Sequence, residues 1–197
     1  MVKDVKHFNL LIMVEKMSNE VLEYVFKISV IGSYASGKTS LINKFVDRSF
    51  SQDYKPTLGA SIIAKDVDTF HKEAKILARL VLWDIAGQEK YDAVRAMYYQ
   101  GCIGGIFVYD ITRPPTFEDI KTKWHKDFKN YAMKNAVFVL IGNKVDLEEM
   151  RKVSTEEGMA LAKEIGAIAF IETSAKTGKN VEEMFGKITQ SILDLSH

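Results

Sequence analysis

A glycine-rich segment after the first apolar run has the residue types that bind phosphate groups. Its sequence, GSYASGKTS (32–40), follows the strand-like run VFKISVI (25–31). Small residues let backbone N–H groups turn inward around an anion, and the helix expected after the loop directs its positive end at the same anion. Lys38 is expected to reach the outer phosphates, and Thr39 to offer its hydroxyl to Mg²⁺. The predicted contacts to a nucleoside triphosphate are Ser33, Tyr34, Ala35, Ser36, Gly37, Lys38, Thr39 and Ser40.

The segment Asn143-Lys144-Val145-Asp146 indicates which base is bound. It follows the apolar run AVFVLIG (136–142), so we expect it at the carboxyl end of a parallel strand, where ligands collect in open α/β sheets. The Asp146 carboxylate can accept hydrogen bonds from N1–H and the amino group of guanine. Adenine has an acceptor at N1 and no amine at C2, and an unpaired buried polar group costs about 1–3 kcal/mol. The stem of Lys144 can lie along the base, and Asn143 can tie this loop to the phosphate loop.

A second loop supports guanine. The segment ETSAK (172–176) follows the next apolar run, and the backbone N–H of Ala175 could donate to guanine O6. Ser174 and Lys176 belong to the same predicted base-binding set. Taken alone, this segment could instead be a helix-capping turn. Phe50 is a candidate to pack against the base, with an ordinary core or loop phenylalanine as the alternative.

Two further segments predict a metal site that senses the third phosphate. In WDIAGQE (83–89), Asp84 is placed to hold Mg²⁺, Gly87 lets its N–H approach the γ-phosphate, and Gln88 is expected to orient the attacking water. Thr57 could complete the Mg²⁺ shell in the triphosphate state. Loops whose order depends on one phosphate form a two-state switch. The predicted catalytic residues are Gln88, Lys38 and Thr57, and the predicted metal ligands are Thr39, Thr57 and Asp84.

The remaining pattern predicts an α/β fold. Apolar runs alternate with segments of helical spacing, which indicates a mostly parallel sheet with helices on both faces. One run reaches the next through the short polar turn HKEAK (71–75), which predicts an antiparallel strand at the sheet edge. The fold is therefore a three-layer domain with a six-stranded sheet. The predicted strands are 25–31, 60–70, 76–83, 103–110, 136–142 and 167–172, and the predicted helices are 38–47, 91–101, 116–132, 154–165 and 180–193.

Length and composition predict one nucleotide-binding domain over residues 24–194, preceded by an extension (1–23) that could form a short helix. The net charge of the 197 residues is +1, which argues against a nucleic-acid surface. The single cysteine, Cys102, suits a reducing cytoplasm. The final residues, ILDLSH, contain no cysteine for a prenyl anchor. We expect a cytoplasmic monomer.

Together these motifs resemble the small GTPases of the Ras superfamily, and the Rab branch in particular. GxxxxGKT, a switch threonine, WDxAGQE, NKxD and SAK occur in the family's order, and LGASI (58–62) and YYQG (98–101) are similar to Rab segments. The resemblance implies a P-loop GTPase fold that binds GDP and GTP with Mg²⁺. It also implies effectors, an exchange factor and a GTPase-activating protein that contact the switch regions, at about residues 50–62 and 85–99.

Tyr34 and Ala35 depart from the family, whose members often carry glycine at these two positions. In Ras proteins a side chain at the first position commonly impairs hydrolysis by crowding the catalytic glutamine and an incoming arginine finger. We therefore expect slow hydrolysis, although the ring could point to solvent without harm. The alternative function is a GTP-binding interaction module with negligible hydrolysis. A kinase would need an arginine-rich lid that the chain lacks, and neither Arg95 nor Arg113 is assigned to the phosphates.

Overall fold

A six-stranded sheet runs through the computed structural model, which describes residues 21–47, 57–87 and 92–195. The strand order is β2-β3-β1-β4-β5-β6; β2 is antiparallel to β3, and every other neighbouring pair is parallel. This confirms the predicted mostly parallel sheet with one antiparallel edge strand. The strands are β1 (Val21–Ile31), β2 (Ala60–His71), β3 (Ala74–Ile85), β4 (Gly104–Asp110), β5 (Val137–Asn143) and β6 (Ala169–Thr173).

Helices cover both faces of the sheet, as expected for a three-layer domain. The side chains of β4 alternate between two cores: Ile106 and Val108 pack with α1 and α6, whereas Phe107 and Tyr109 pack on the opposite face. This alternation follows from the two-residue repeat of a strand buried on both sides. The helices are α1 (Lys38–Asp47), α2 (Asp92–Tyr99), α3 (Pro114–Asp119), α4 (His125–Tyr131), α5 (Thr155–Ile165) and α6 (Val181–Leu195).

The edge hairpin has a tighter turn than the sequence predicts. His71 and Ala74 are the last and first residues of their strands, so only Lys72 and Glu73 form the turn instead of all of 71–75. Both turn residues have positive φ, at 46° and 69°. Such two-residue turns usually carry glycine or asparagine, which explains why the sequence predicts the turn but not its length.

The predicted helix over 116–132 begins earlier and changes its winding. It starts at Pro114, and a π-helical segment (Ile120–Trp124) separates α3 from α4. The π turn brings the buried Trp124 beside the phosphate loop, where its indole Nε1 donates to Ser33 Oγ at 3.0 Å. A local widening of this kind often occurs at functional sites.

All of the predicted site segments within the described residues lie at or beside the carboxyl ends of strands. The phosphate loop follows β1, and the NKVD segment begins at the end of β5 and continues into a 3₁₀ segment (Val145–Met150). No helix in the described part of the chain is long and apolar enough to cross a membrane. The predicted extension over 1–23 lies outside the described residues apart from its last positions, which form the start of β1.

Candidate functional site

Two glycines let the phosphate loop pass close to its neighbours. Gly32 has φ +147°, and a Cβ there would overlap the carbonyl oxygen of Val108. Gly37 has φ +101°, and a Cβ there would overlap the Asn143 amide nitrogen. Only glycine adopts such backbone geometry without a steric cost, so these two positions define the curvature of the loop.

Lys38 forms the floor of this loop. Its side chain is buried, and its Nζ donates to the carbonyl oxygens of Gly32 at 2.8 Å and Ser33 at 3.1 Å. Burial lowers the pKa of Lys38 to about 8, although the nearby Asp84 carboxylate opposes this effect. The loop therefore holds an ammonium group that an additional anion would stabilise.

Three oxygen-bearing side chains from separate segments meet at the end of the loop. Thr39 Oγ1 donates to Asp84 Oδ2 at 2.5 Å, and Thr57 Oγ1 lies 3.0 Å from Thr39 Oγ1 and 3.2 Å from Asp84 Oδ2. Asp84 is 1% exposed, and burial raises its pKa, while the Thr39 hydrogen bond and the charge of Lys38 oppose the rise. Among the described residues, Asp84 Oδ1 has no hydrogen-bond partner. A carboxylate oxygen without a partner beside two hydroxyls is a donor set that suits Mg²⁺.

Asn143 joins the loop after β5 to the phosphate loop, as the sequence predicts. Its Nδ2 donates to the Ser36 carbonyl oxygen at 2.9 Å. Its Oδ1 accepts from Thr173 Oγ1 at 3.1 Å and from the backbone N–H of Ala175 at 3.3 Å. One buried amide thus connects the three loops that are expected to hold the nucleotide.

The Ala175 contact modifies the expected role of that residue. Its backbone N–H, predicted to face guanine O6, donates to Asn143 in this structure. A contact to O6 therefore requires this N–H to be shared between the two acceptors. Ala175 and Ser174 are buried, whereas Lys176 is exposed at the surface.

Asp146 is held at the rim of the site with one carboxylate oxygen engaged. The buried Ser174 donates from Oγ to Asp146 Oδ1 at 2.6 Å. Lys144 has φ +75°, and its Nζ lies 2.7 Å from the buried Asp110 Oδ2. These contacts orient both side chains that are expected to contact the base.

Sequence reasoning missed Asp110, which ends β4, and the support of the ETSAK loop. Asp110 Oδ1 also accepts from the backbone N–H of Thr112 at 2.9 Å, so the carboxylate is held from both sides. Arg151 Nη1 donates to Glu172 Oε1 at 2.6 Å and braces the loop that presents Ser174. An acidic residue at the end of the otherwise apolar IFVYD run was the available signal for Asp110.

The side of the site where the γ-phosphate is expected contains two backbone contacts. A Cβ on Gly87 would lie 2.5 Å from atoms of Gly32, Ser33 and Tyr34, so Gly87 packs directly on the phosphate loop. Arg113, which the sequence does not assign to the phosphates, contacts a backbone group of the phosphate loop. Its Nη1 donates to the Tyr34 carbonyl oxygen at 3.0 Å. Tyr34, whose carbonyl oxygen accepts this hydrogen bond, is 41% exposed.

Two predicted site residues, Phe50 and Gln88, lie outside the described residues. Their roles stay predictions. Ser40 is described, and it is partly buried in the first turn of α1. The described arrangement can hold an anion over Lys38, a divalent cation at Asp84 and a planar base beside Asp146.

Comparison with known proteins places this geometry in a family. A family model described as the Ras family matches residues 27–194. The Ras-related protein Rab11A of Lotus japonicus is 39% identical over 178 residues, which cover 90% of this chain and 76% of that protein. RABA6a of Arabidopsis thaliana is 41% identical over 173 residues, covering 88% and 72% of the two chains. Rab-3C of Bos taurus is 38% identical over 177 residues, covering 90% and 75%.

Proposed function

The chain belongs to the Ras family of small GTPases and is Rab-like within it, and we propose that it is a Mg²⁺-dependent switch that hydrolyses GTP slowly. The observation that carries this proposal is the convergence of Thr39, Thr57 and Asp84 within 3.2 Å of one another. Thr57 comes from the loop before β2, so a ligand that holds its hydroxyl also holds that loop. We propose that the switch domain spans residues 24–194, together with the first residues of β1, which begins at Val21.

The proposed roles divide the site into three parts. Lys38 and the loop N–H groups hold the β- and γ-phosphates, and Asp146, Lys144 and Asn143 form the guanine site. Mg²⁺, when bound by Thr39, Thr57 and Asp84, supplies positive charge that neutralises the phosphate oxygens. Gly87 presents its N–H toward the γ-phosphate, and Gln88 orients water for attack. Phe50, Ser174, Ala175 and Lys176 complete the proposed nucleotide contacts.

Slow intrinsic hydrolysis is the expected behaviour of this arrangement. The side chain of Arg113 is engaged with a backbone carbonyl, and Tyr34 adds bulk beside the position proposed for Gln88. For Ras-type domains without an arginine finger, turnover is on the order of 10⁻⁴ to 10⁻³ s⁻¹, and an arginine supplied in trans adds roughly 10³- to 10⁵-fold. Crowding by Tyr34 would also weaken the response to such an activator.

We propose that effectors, an exchange factor and a GTPase-activating protein contact the switch regions, at about 50–62 and 85–99, in the cytoplasm. Leu58, Ile62 and Met97 support this placement, since they are exposed by 75%, 55% and 67%. Apolar side chains that stay in water next to a nucleotide site are typical of protein contact surfaces.

Single-turnover hydrolysis of preloaded GTP tests the proposed activity. We expect wild-type protein with Mg²⁺ to load GTP in preference to ATP and to convert it slowly to GDP. Gln88→Leu should load GTP equally well and hydrolyse it at least about 10-fold more slowly, because it cannot orient water. Failure to load GTP in preference to ATP would contradict the guanine assignment.

The second candidate function is a GTP-binding interaction module with negligible hydrolysis, and Tyr34 is the observation that favours it. GTP that stays intact for many hours in both wild-type protein and Gln88→Leu would support this candidate. Tyr34→Gly then separates the causes. A faster rate would identify crowding by the ring, and an unchanged rate would remove Tyr34 as the reason.

A further inference from the structure

The phosphate loop contains a turn whose geometry is unfavourable for its sequence. The Ser36 N–H donates to the Ser33 carbonyl oxygen at 3.3 Å, which places Tyr34 and Ala35 at the centre of a four-residue turn. Ala35 has φ +59°, and Tyr34 is not among the residues with positive φ. Among the standard four-residue turns, a positive φ at the second central position alone is the pattern of type II, in which that position normally carries glycine. Alanine therefore adopts a left-handed conformation here at a steric cost.

This turn has an alternative that would relieve the cost. Type I and type II turns differ by a rotation of the central peptide, here the one that joins Tyr34 to Ala35. The rotated form would give Ala35 a negative φ, which alanine adopts freely. Because a trans peptide is planar, its C=O and N–H point in opposite directions, so both groups would exchange sides.

The exchange matters because one side of the loop faces the phosphate site. The carbonyl oxygens of Gly32 and Ser33 point to the Lys38 ammonium at the floor of the loop. The Tyr34 carbonyl oxygen points elsewhere, to the exposed Arg113. The Ala35 N–H consequently points away from Arg113, to the side on which the proposed function places the phosphates. In the rotated form a carbonyl oxygen would face the phosphates and repel them.

Arg113 is well placed to prevent this rotation. Its Nη1 donates to the Tyr34 carbonyl oxygen at 3.0 Å, a contact that the rotated peptide could not make. Its backbone is held on both sides, because its N–H donates to the Asp110 carbonyl oxygen and its own carbonyl oxygen accepts from Thr116 N–H, both at 2.9 Å. Pro114 follows and further restricts the Arg113 backbone. The guanidinium therefore extends from a fixed point.

We propose that Arg113 is a positioning residue of the phosphate loop, which holds the Tyr34–Ala35 peptide so that the Ala35 N–H faces the phosphates. This inference rests on the proposed function. A glycine at position 35 would adopt the positive φ without strain. In this chain Arg113, which lies outside the glycine-rich segment, stabilises that conformation instead. Loss of the guanidinium should shift the nucleotide-free loop toward the rotated form. Nucleotide affinity should then fall in proportion to the fraction of protein that remains in the binding-competent form.

A double-mutant cycle on GDP affinity tests the proposal. The affinity of a fluorescent GDP is obtained from its association and dissociation rates for wild type, Arg113→Ala, Ala35→Gly and the double variant. We expect Arg113→Ala to lower GDP affinity about 5- to 10-fold. The steric cost of a left-handed alanine would shift the loop by about this factor toward the rotated form once the arginine is absent. In the Ala35→Gly background, Arg113→Ala should lower GDP affinity by less than about 2-fold, because glycine adopts positive φ freely. Arg113→Lys should retain most of the affinity, since it keeps a donor and a charge.

The control is Arg79→Ala, which removes an exposed arginine that bonds Asp66 on the β2–β3 hairpin, and it should keep wild-type affinity. Equal losses from Arg113→Ala in the wild-type and Ala35→Gly backgrounds would overturn the positioning role while leaving the proposed function intact. An unchanged affinity in Arg113→Ala would do the same. A wild-type protein that binds no GDP would overturn the proposed function and this inference with it.

Discussion

The hydroxyl oxygens of Thr39 and Thr57 lie 3.0 Å apart, although 18 positions separate the two residues in the chain. Both hydroxyls contact Asp84 Oδ2, so α1, the loop before β2 and the end of β3 meet at one carboxylate. A second link joins the same two switch segments, since the Ala86 N–H donates to the Gly59 carbonyl oxygen at 2.9 Å. We therefore expect occupation of the proposed metal site to be coupled to the order of both segments.

Replacing Thr57 with valine should remove the metal's hold on the switch without changing side-chain size. We expect Mg²⁺ affinity of the GTP-loaded protein to fall about 10-fold or more, and that of the GDP-loaded protein to change little. Mg²⁺ titration of nucleotide release in each loaded state measures both values. Thr122→Val, which removes an exposed helical hydroxyl, is the control. Equal losses of Mg²⁺ affinity in the GTP-loaded and GDP-loaded proteins would show that Thr57 does not sense the third phosphate.

Replacing Asp146 with asparagine should change the preferred base. Asparagine offers one acceptor and one donor, whereas guanine presents two donors to this position; xanthine presents one donor and a carbonyl oxygen. We expect GTP affinity to fall about 100-fold or more and xanthosine triphosphate to become the better ligand. Competition binding of the two nucleotides checks this, with Glu149→Gln as a nearby control. Retained guanine preference would remove Asp146 from the base site.

The lowered pKa of Lys38, about 8, predicts proton uptake on nucleotide binding. Phosphates would raise this pKa again, so a net uptake of protons should be measurable at about pH 8.5. Calorimetric titrations of GDP in two buffers with different ionisation enthalpies measure the uptake. The sign for stability follows from the same shift. Between pH 8 and the ordinary value of 10.5, Lys38 binds more protons in the unfolded protein, so its own contribution to the free energy of unfolding of the nucleotide-free protein rises with pH.

The absence of proton uptake at pH 8.5 would contradict an ammonium buried beneath the phosphates. Affinity for GDP should also weaken as the pH rises above about 8, because neutral Lys38 must first gain a proton. A GDP affinity that stays constant from about pH 7.5 to about pH 8.5 would also contradict a Lys38 ammonium buried beneath the phosphates.

Replacing Gly87 with alanine should displace the second switch segment from the phosphate loop. The added Cβ would lie 2.5 Å from three backbone atoms, which cannot move as a flexible side chain could. We expect GTP hydrolysis to fall at least about 10-fold, because a small misplacement of groups at a reaction site has large effects. GDP affinity should change less than about 3-fold, since this nucleotide has no γ-phosphate.

Gly186→Ala is the matched control for Gly87→Ala. Position 186 lies in α6, and a Cβ there would meet nothing within 4 Å. This variant should hydrolyse GTP at the wild-type rate and should be stabilised slightly, by roughly 0.5–1 kcal/mol. If Gly87→Ala also kept the wild-type rate, the close contact at Gly87 would have no part in hydrolysis.

Local sequence patterns predicted most of the fold because hydrophobic spacing follows burial. The helix predicted over 38–47 has the bounds of α1, and the alternation of β4 between two cores follows directly from its apolar residues. The hairpin turn was predicted too long because Lys72 and Glu73 adopt positive φ without the usual turn residues. The π-helical segment (Ile120–Trp124) leaves no trace in the spacing, since it depends on packing around Trp124.

The candidate site likewise contains residues that the sequence could place and residues that it could not. Motif residues such as Asn143 could be placed from the strand that precedes them. Asp110 and Arg113 could not, because their partners, Lys144 and Tyr34, lie far along the chain and meet them only where neighbouring strands end side by side. Spacing along the sequence predicts contacts within a motif, and tertiary structure determines those between motifs.

The most direct test of the switch is amide hydrogen exchange of one preparation loaded either with GDP or with a non-hydrolysable GTP analogue, both with Mg²⁺. We predict slower exchange in the triphosphate state over residues 57–62 and 86–87, with β5 and β6 unchanged. The protection should disappear in Thr57→Val. Equal exchange of both switch segments in the two states would contradict the proposal that this protein signals the identity of its bound guanine nucleotide.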